Sequence, residues 1–81
     1  MRVHADFYSY LKDLAGCSGA DFDLPAGSTV GELLVVLYQQ FPQLAPMAKS
    51  TLVAVGVEYR LKDHRLADGD QVSLFPPVQG G

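Results

Sequence analysis

The chain is poor in the residues from which catalytic centres are usually assembled. Its 81 residues hold one cysteine, two histidines and six basic side chains. One cysteine cannot pair within the chain, and its isolation points to a reducing compartment. Cys17 lies in a loop with no adjacent base or helix start, so it reads as a bystander rather than a nucleophile or persulfide carrier. His4 and His64 are far apart, and neither has a cysteine or carboxylate at a ligand-like spacing, so no metal site is expected. Gly27 and Gly31 stand near a helix start, but the Walker spacing and its lysine are missing, which leaves no nucleotide cradle. Asp68 and Asp70 flank Gly69 as turn formers, without a second acid to make a catalytic pair.

Basic charge is scarce as well. Nine acids against six bases give a net charge of −3 and a pI near 5.0. That balance argues against nucleic acid as a partner, because neutralising phosphates needs a basic face. The six bases look scattered and read as solvated surface. No apolar run could span a bilayer and no basic n-region opens the chain, so no membrane association and a soluble, cytoplasmic setting are expected. What is present is core-forming: 48% of residues are hydrophobic and 19% charged, as in a globular domain. The length allows one small domain, with stability toward the low end of about 5–15 kcal/mol and little room for an enclosed active site.

The patterning predicts four main strands and one helix. Val3, Ala5 and Phe7 alternate with Arg2, His4, Asp6 and Tyr8, the period of a half-buried strand. Leu11 and Leu14 continue through a short turn-like or helical segment to Gly16. Ala20, Phe22 and Leu24 alternate with Asp21 and Asp23 until Pro25-Ala26-Gly27 breaks the pattern. Two strands with so tight a connection should pair as an antiparallel hairpin. Thr29 and Glu32 are spaced as a capping box, and Val30, Leu33, Leu34, Leu37 and Phe41 form one apolar stripe ended by Pro42. A connection with room for one helical turn follows. Leu52 to Val55 reads as a third strand, Tyr59 to Leu66 as an irregular stretch with space for a short edge strand, and Gln71 to Phe75 as the last strand after the Asp68-Gly69-Asp70 turn. The order β-β-α-β-β implies an α+β domain over residues 1–75, a mixed sheet packed on one main helix. An extended tail over 76–81 follows.

The tail, Phe75-Pro76-Pro77-Val78-Gln79-Gly80-Gly81, carries no charged side chain. The proline pair cannot extend a central strand and favours a stiff, extended backbone. Gly80 and Gly81 have no Cβ and fit a slot that larger residues would block. The reactive group at the end is then the α-carboxylate of Gly81, on a slim neutral stalk suited to activation by another enzyme. With Val72 and Leu74 facing the helix, Phe75 must point the other way, and Tyr8 is out of phase in the same sense. If the first and last strands are parallel neighbours, both rings emerge where the tail departs, and Tyr59 is a candidate third member. Such aromatics are the usual anchors of a partner-docking patch.

These residues carry a resemblance. Leu11-Lys12-Asp13-Leu14-Ala15-Gly16, Ala67-Asp68-Gly69-Asp70-Gln71-Val72 and the ending Leu-Phe-Pro-Pro-Val-x-Gly-Gly closely resemble the small subunits of molybdopterin synthase, ubiquitin-like sulfur carriers of molybdenum cofactor biosynthesis. The likeness spans essentially the whole chain. Its tail is the specific part, and Pro76-Pro77-Val78 separates it from the related thiamine-pathway carrier. Gly56 departs from the family's usual asparagine, a change that bears on a local turn.

The resemblance implies a β-grasp fold and a carrier cycle. An ATP- and Mg-using, ubiquitin-activating-like adenylyltransferase would adenylate Gly81, and a sulfur donor would convert the end to a thiocarboxylate. The loaded tail would then enter the large synthase subunit, in a heterotetramer, and pass sulfur to the cyclic pterin precursor. Catalytic side chains would lie on the partners, and no cofactor would be bound by this chain. Gly81 would bear the sulfur, Gly80 give clearance, Pro76, Pro77 and Val78 set reach, and Phe75, Tyr8 and Tyr59 dock the body. Two other readings stay open at this point. One is a carrier serving cysteine, thiamine or transfer-RNA thiolation, or a protein modifier; the other is an interaction module with an inert tail.

Overall fold

In a computed structural model of the protein, residues 1–77 are described. Strand β1 (Arg2–Phe7) is followed by a short helix α1 (Tyr10–Ala15), strand β2 (Gly19–Asp23) and the main helix α2 (Val30–Gln40). A 3-10 segment (Pro42–Met47) then leads to β3 (Leu52–Val55), β4 (Glu58–Tyr59) and β5 (Gln71–Phe75). The sheet has five strands in the order β2-β1-β5-β3-β4. β1 and β2 form the expected antiparallel hairpin, with Val3 opposite Phe22. β5 lies parallel to β1, with Phe7 opposite Leu74, and antiparallel to β3, with Val53 opposite Leu74. This is the β-grasp arrangement.

Alternation explains which face is filled. Val3, Ala5 and Phe7 of β1, Phe22 of β2 and Val72 and Leu74 of β5 are buried against α2. The helix answers with Val30, Leu33, Leu34 and Leu37. Leu33 and Leu37 are wholly buried, so truncating either to alanine should cost about 2–5 kcal/mol. The capping box is present: the Glu32 backbone N–H donates to Thr29 Oγ1 at 3.2 Å, and the Thr29 N–H donates to Glu32 Oε1 at 3.1 Å. Pro42 cannot continue α2 because it lacks an N–H, yet it opens the six-residue 3-10 segment, longer than the single turn expected. Leu44 of that segment is buried, and Phe41 meets Phe7 edge-on with centroids 5.1 Å apart.

Two expectations change in detail. α1 buries Leu11 but leaves Leu14 39% exposed, because a helix of six residues presents little more than one side chain to the core. The irregular stretch after β3 holds β4 at its very start: Gly56 takes φ +62°, a left-handed turn that lets Glu58–Tyr59 fold back on Ala54–Val55. Asparagine would also tolerate that turn.

Candidate functional site: the open sheet face and the root of the tail

The face of the sheet away from α2 has two ends of different chemistry. At one end the parallel register of β1 and β5 carries past Phe7 and Leu74, and the Tyr8 N–H still donates to the Leu74 carbonyl at 3.1 Å. Tyr8 and Phe75 therefore stand side by side. Their rings stack at 4.7 Å with 14° between planes, and Tyr59 meets Phe75 edge-on at 6.3 Å. Tyr59 reaches Phe75 because the row between them is small: it pairs with Ala54, which pairs with Ser73. Leu52, opposite Phe75, extends the apolar surface. Tyr8 is 43% and Tyr59 67% exposed, so the cluster is a surface feature and not an outlying piece of core.

The backbone is bent to keep it there. Ser9, directly after Tyr8, has φ +57°, the sole positive φ on a non-glycine among the described residues. Such a conformation costs about 1–3 kcal/mol, and it turns the chain from β1 into α1 while Tyr8 stays on its stack. Pro76 and Pro77 follow Phe75 and are half-buried, so the tail leaves from the aromatic rim. Val78, Gly80 and Gly81 lie outside the described residues.

The other end of the face is charged. Arg2 and Asp23, opposite each other across the hairpin, pair at 3.0 Å. His4 lies between two carboxylates: Nδ1 is 2.6 Å from Asp21 Oδ1, and Nε2 is 2.8 Å from Asp6 Oδ1. Hydrogen bonds to Asp21 and then Asp6 raise the His4 pKa above its ordinary 6.5. The hydrogen bond and charge of Arg2 hold Asp23 below the usual carboxylate range. Gly19 makes room for this cluster, since a Cβ there would stand 2.5 Å from the Ala5 carbonyl oxygen and 2.9 Å from Asp6 Oδ1.

Linear spacing shows no cysteine or carboxylate placed as a ligand beside His4, yet the fold sets two carboxylates against its ring. Asp6 is two residues on, hence on the same strand face, and Asp21 is its partner across the hairpin. Register supplied what linear spacing hid. Among the described residues no group of three His, Cys, Asp or Glu is arranged to hold a metal ion. Asp68 and Asp70 act on the backbone, accepting from the N–H groups of Arg2 and Ala67 at 2.7 and 2.8 Å. Cys17 is exposed. The six bases are less scattered than they look: Lys49, Arg60 and Lys62 line one groove beside α2.

A five-stranded mixed sheet of this order on one main helix is the ubiquitin-like fold of the small carrier proteins. The chain is a member of the ThiS family, whose model matches residues 6–81. It is 30% identical, over all of both chains, to the molybdopterin synthase sulfur carrier subunit of Chlamydomonas reinhardtii. SAMP1 from Haloferax volcanii has the same fold, with a TM-score of 0.88 and 25% identity over all of both chains. A chain from the complex of subunits 1 and 2 of the molybdopterin-converting factor of Helicobacter pylori, 24% identical over all of both chains with a TM-score of 0.74, shares the fold. No helix among the described residues is long and apolar enough to cross a membrane.

Proposed function

We propose that the chain is the sulfur carrier subunit of molybdopterin synthase, a cytoplasmic protein that works as substrate and not as catalyst. The observation that carries this reading is full-length similarity to carriers of that name, joined to a tail that starts at a stacked aromatic rim. In this reading residues 1–75 are the docking body and 76–81 the reactive arm. A carboxylate is a poor acyl donor, so an adenylyltransferase joins Gly81 to AMP from ATP, releasing pyrophosphate. A sulfide-level donor attacks the acyl carbon, AMP leaves, and a thiocarboxylate remains. Within the large subunit this sulfur displaces an oxygen substituent of the pterin precursor, and water then cleaves the acyl–sulfur bond to return the carboxylate and leave the thiol on the product. Tyr8, Tyr59 and Phe75 bind the partner's apolar surface, Pro76, Pro77 and Val78 set the reach, and Gly80 passes the narrow entrance.

Mass spectrometry of the protein from its native host tests this. The expected species has sulfur in place of one terminal oxygen; its repeated absence during active cofactor synthesis overturns the reading. The likeness to SAMP1 favours a second reading, in which the activated Gly81 is joined to lysines of other proteins. Glycine remnants of this tail on host lysines would support it.

A further inference from the structure

On the helix side of the sheet edge, α2, the segment after the 3-10 turn and residues 60–62 enclose a groove with two lobes of about 210 and 290 Å³. Leu34, Ala48 and Lys62 line both lobes. Gly31 lets the walls come together: its N–H donates to the Lys62 carbonyl at 2.9 Å, and a Cβ there would press on Lys62 at 3.3 Å. The floor and lips are apolar. Leu61 is 80% exposed, Val35 60%. The Tyr38 hydroxyl is buried there without a hydrogen-bond partner among the described residues.

The charge of this groove opposes that of the chain. Three of the six bases line it, and none of the nine acids does. Glu58 holds Arg60 at 2.7 Å, whereas neither Lys49 nor Lys62 forms an ion pair with a described residue. In a domain of net charge −3, two lysines without an ion-pair partner among the described residues, in a groove with exposed Leu61 and Val35, form a site of definite complementarity.

We infer that this groove is a second docking site, which takes an acidic segment of a protein partner bearing apolar side chains. The apolar residues fill the lobes over Leu34 and Leu61, and the carboxylates meet Lys49 and Lys62. The inference stands apart from the sulfur-carrier reading, because it uses neither the tail nor the aromatic rim. It gives the domain a way to be held by one partner on its helix side while another engages the tail.

The test is an amide chemical-shift titration of the full chain with a short synthetic peptide of glutamates and leucines at helical spacing. Its lysine-for-glutamate twin and a single-stranded oligonucleotide serve as controls. The acidic peptide is expected to move Val35, Ala48, Lys49, Leu61 and Lys62, and to bind more weakly as salt rises. Lys49→Glu with Lys62→Glu should weaken it roughly tenfold, since each exposed pair is replaced by a repulsion of similar size. Both lysines are exposed, so an unchanged thermal midpoint separates lost binding from lost folding. Leu61→Ser, which keeps both charges, should also weaken the peptide. No binding, equal binding of the lysine twin, shifts centred on Tyr8 and Phe75, or equal affinity for the oligonucleotide at the same residues would each overturn the assignment.

Discussion

The open face of the sheet is one surface, yet its two ends share only β1 and differ in chemistry. Near the root of the tail, Tyr8, Tyr59 and Phe75 give a surface that gains by leaving water. One to three residue rows away, Arg2, His4, Asp6, Asp21 and Asp23 satisfy one another in pairs and triplets. Surface ion pairs of that kind contribute little to stability because solvent screens them, while buried aromatic anchors dominate interfaces. Affinity for a partner should therefore concentrate at the aromatic end. The charged end should instead bear on which surfaces are repelled. Strand β1 belongs to both, because His4, Asp6 and Tyr8 share one face by alternation.

Docking and chemistry should separate most completely at the tail. Deleting Gly81 leaves both ends of the face intact, so binding to the large synthase subunit should persist while sulfur transfer vanishes. The new terminus falls about 3.5 Å short, and reacting atoms must meet within about 3–3.5 Å. Phe75→Ala should do the reverse. It removes the ring on which Tyr8 and Tyr59 rest, with an expected loss of about 2 kcal/mol of binding, or roughly thirtyfold, and little effect on the buried core. Calorimetric titration beside a sulfur-transfer assay reads both variants. Transfer by the Gly81 deletion, or wild-type affinity of Phe75→Ala, would end this division of labour.

The charged end should matter to folding instead. Gly19→Ala places a methyl group 2.5 Å from the Ala5 carbonyl oxygen, a backbone atom, and 2.9 Å from Asp6 Oδ1. The hairpin has to open or shift, at an expected cost of about 1–3 kcal/mol. Urea denaturation measures it. A variant as stable as the parent would mean that the start of β2 is looser than its register implies.

The aromatic end was legible in the sequence because it rests on phase alone. Val72 and Leu74 fix Phe75 outward, Val3, Ala5 and Phe7 fix Tyr8 outward, and only the parallel pairing had to be guessed. Tyr59 was harder, since its strand has two residues and no period to read. The His4 cluster depended on the cross-strand partner of His4, which one strand's spacing does not contain. The groove drew on three separate segments, so Lys49, Arg60 and Lys62 looked like scattered charge until α2 and residue 62 were brought together at Gly31. The 3-10 segment runs longer than the one helical turn expected for a local reason: Pro42 reads as a break, although it is well placed at the start of a turn.

At the charged end, His4 should give stability a weak dependence on pH. Its ring touches Asp6 and Asp21, with Arg2 and Asp23 alongside on the same face. The two carboxylates raise its pKa in the folded chain above the ordinary 6.5, so the native state holds the proton more tightly than the unfolded state does. The resulting stability is fully present below pH 6.5 and is lost as pH rises through the raised folded value. Asp23, whose value is lowered, acts in a different window: its contribution is present above the unfolded value and fades as pH falls through the folded one. The ring is partly exposed and screened, so the change should stay below about 1 kcal/mol and shrink with added salt. His4→Gln removes the titration while keeping a polar side chain over the strands. Denaturation free energies measured across this pH range should therefore slope downward for the parent and stay flatter for the variant. Parallel curves would mean that the two aspartates position the ring without binding it as a cation, leaving the charged end a matter of geometry alone.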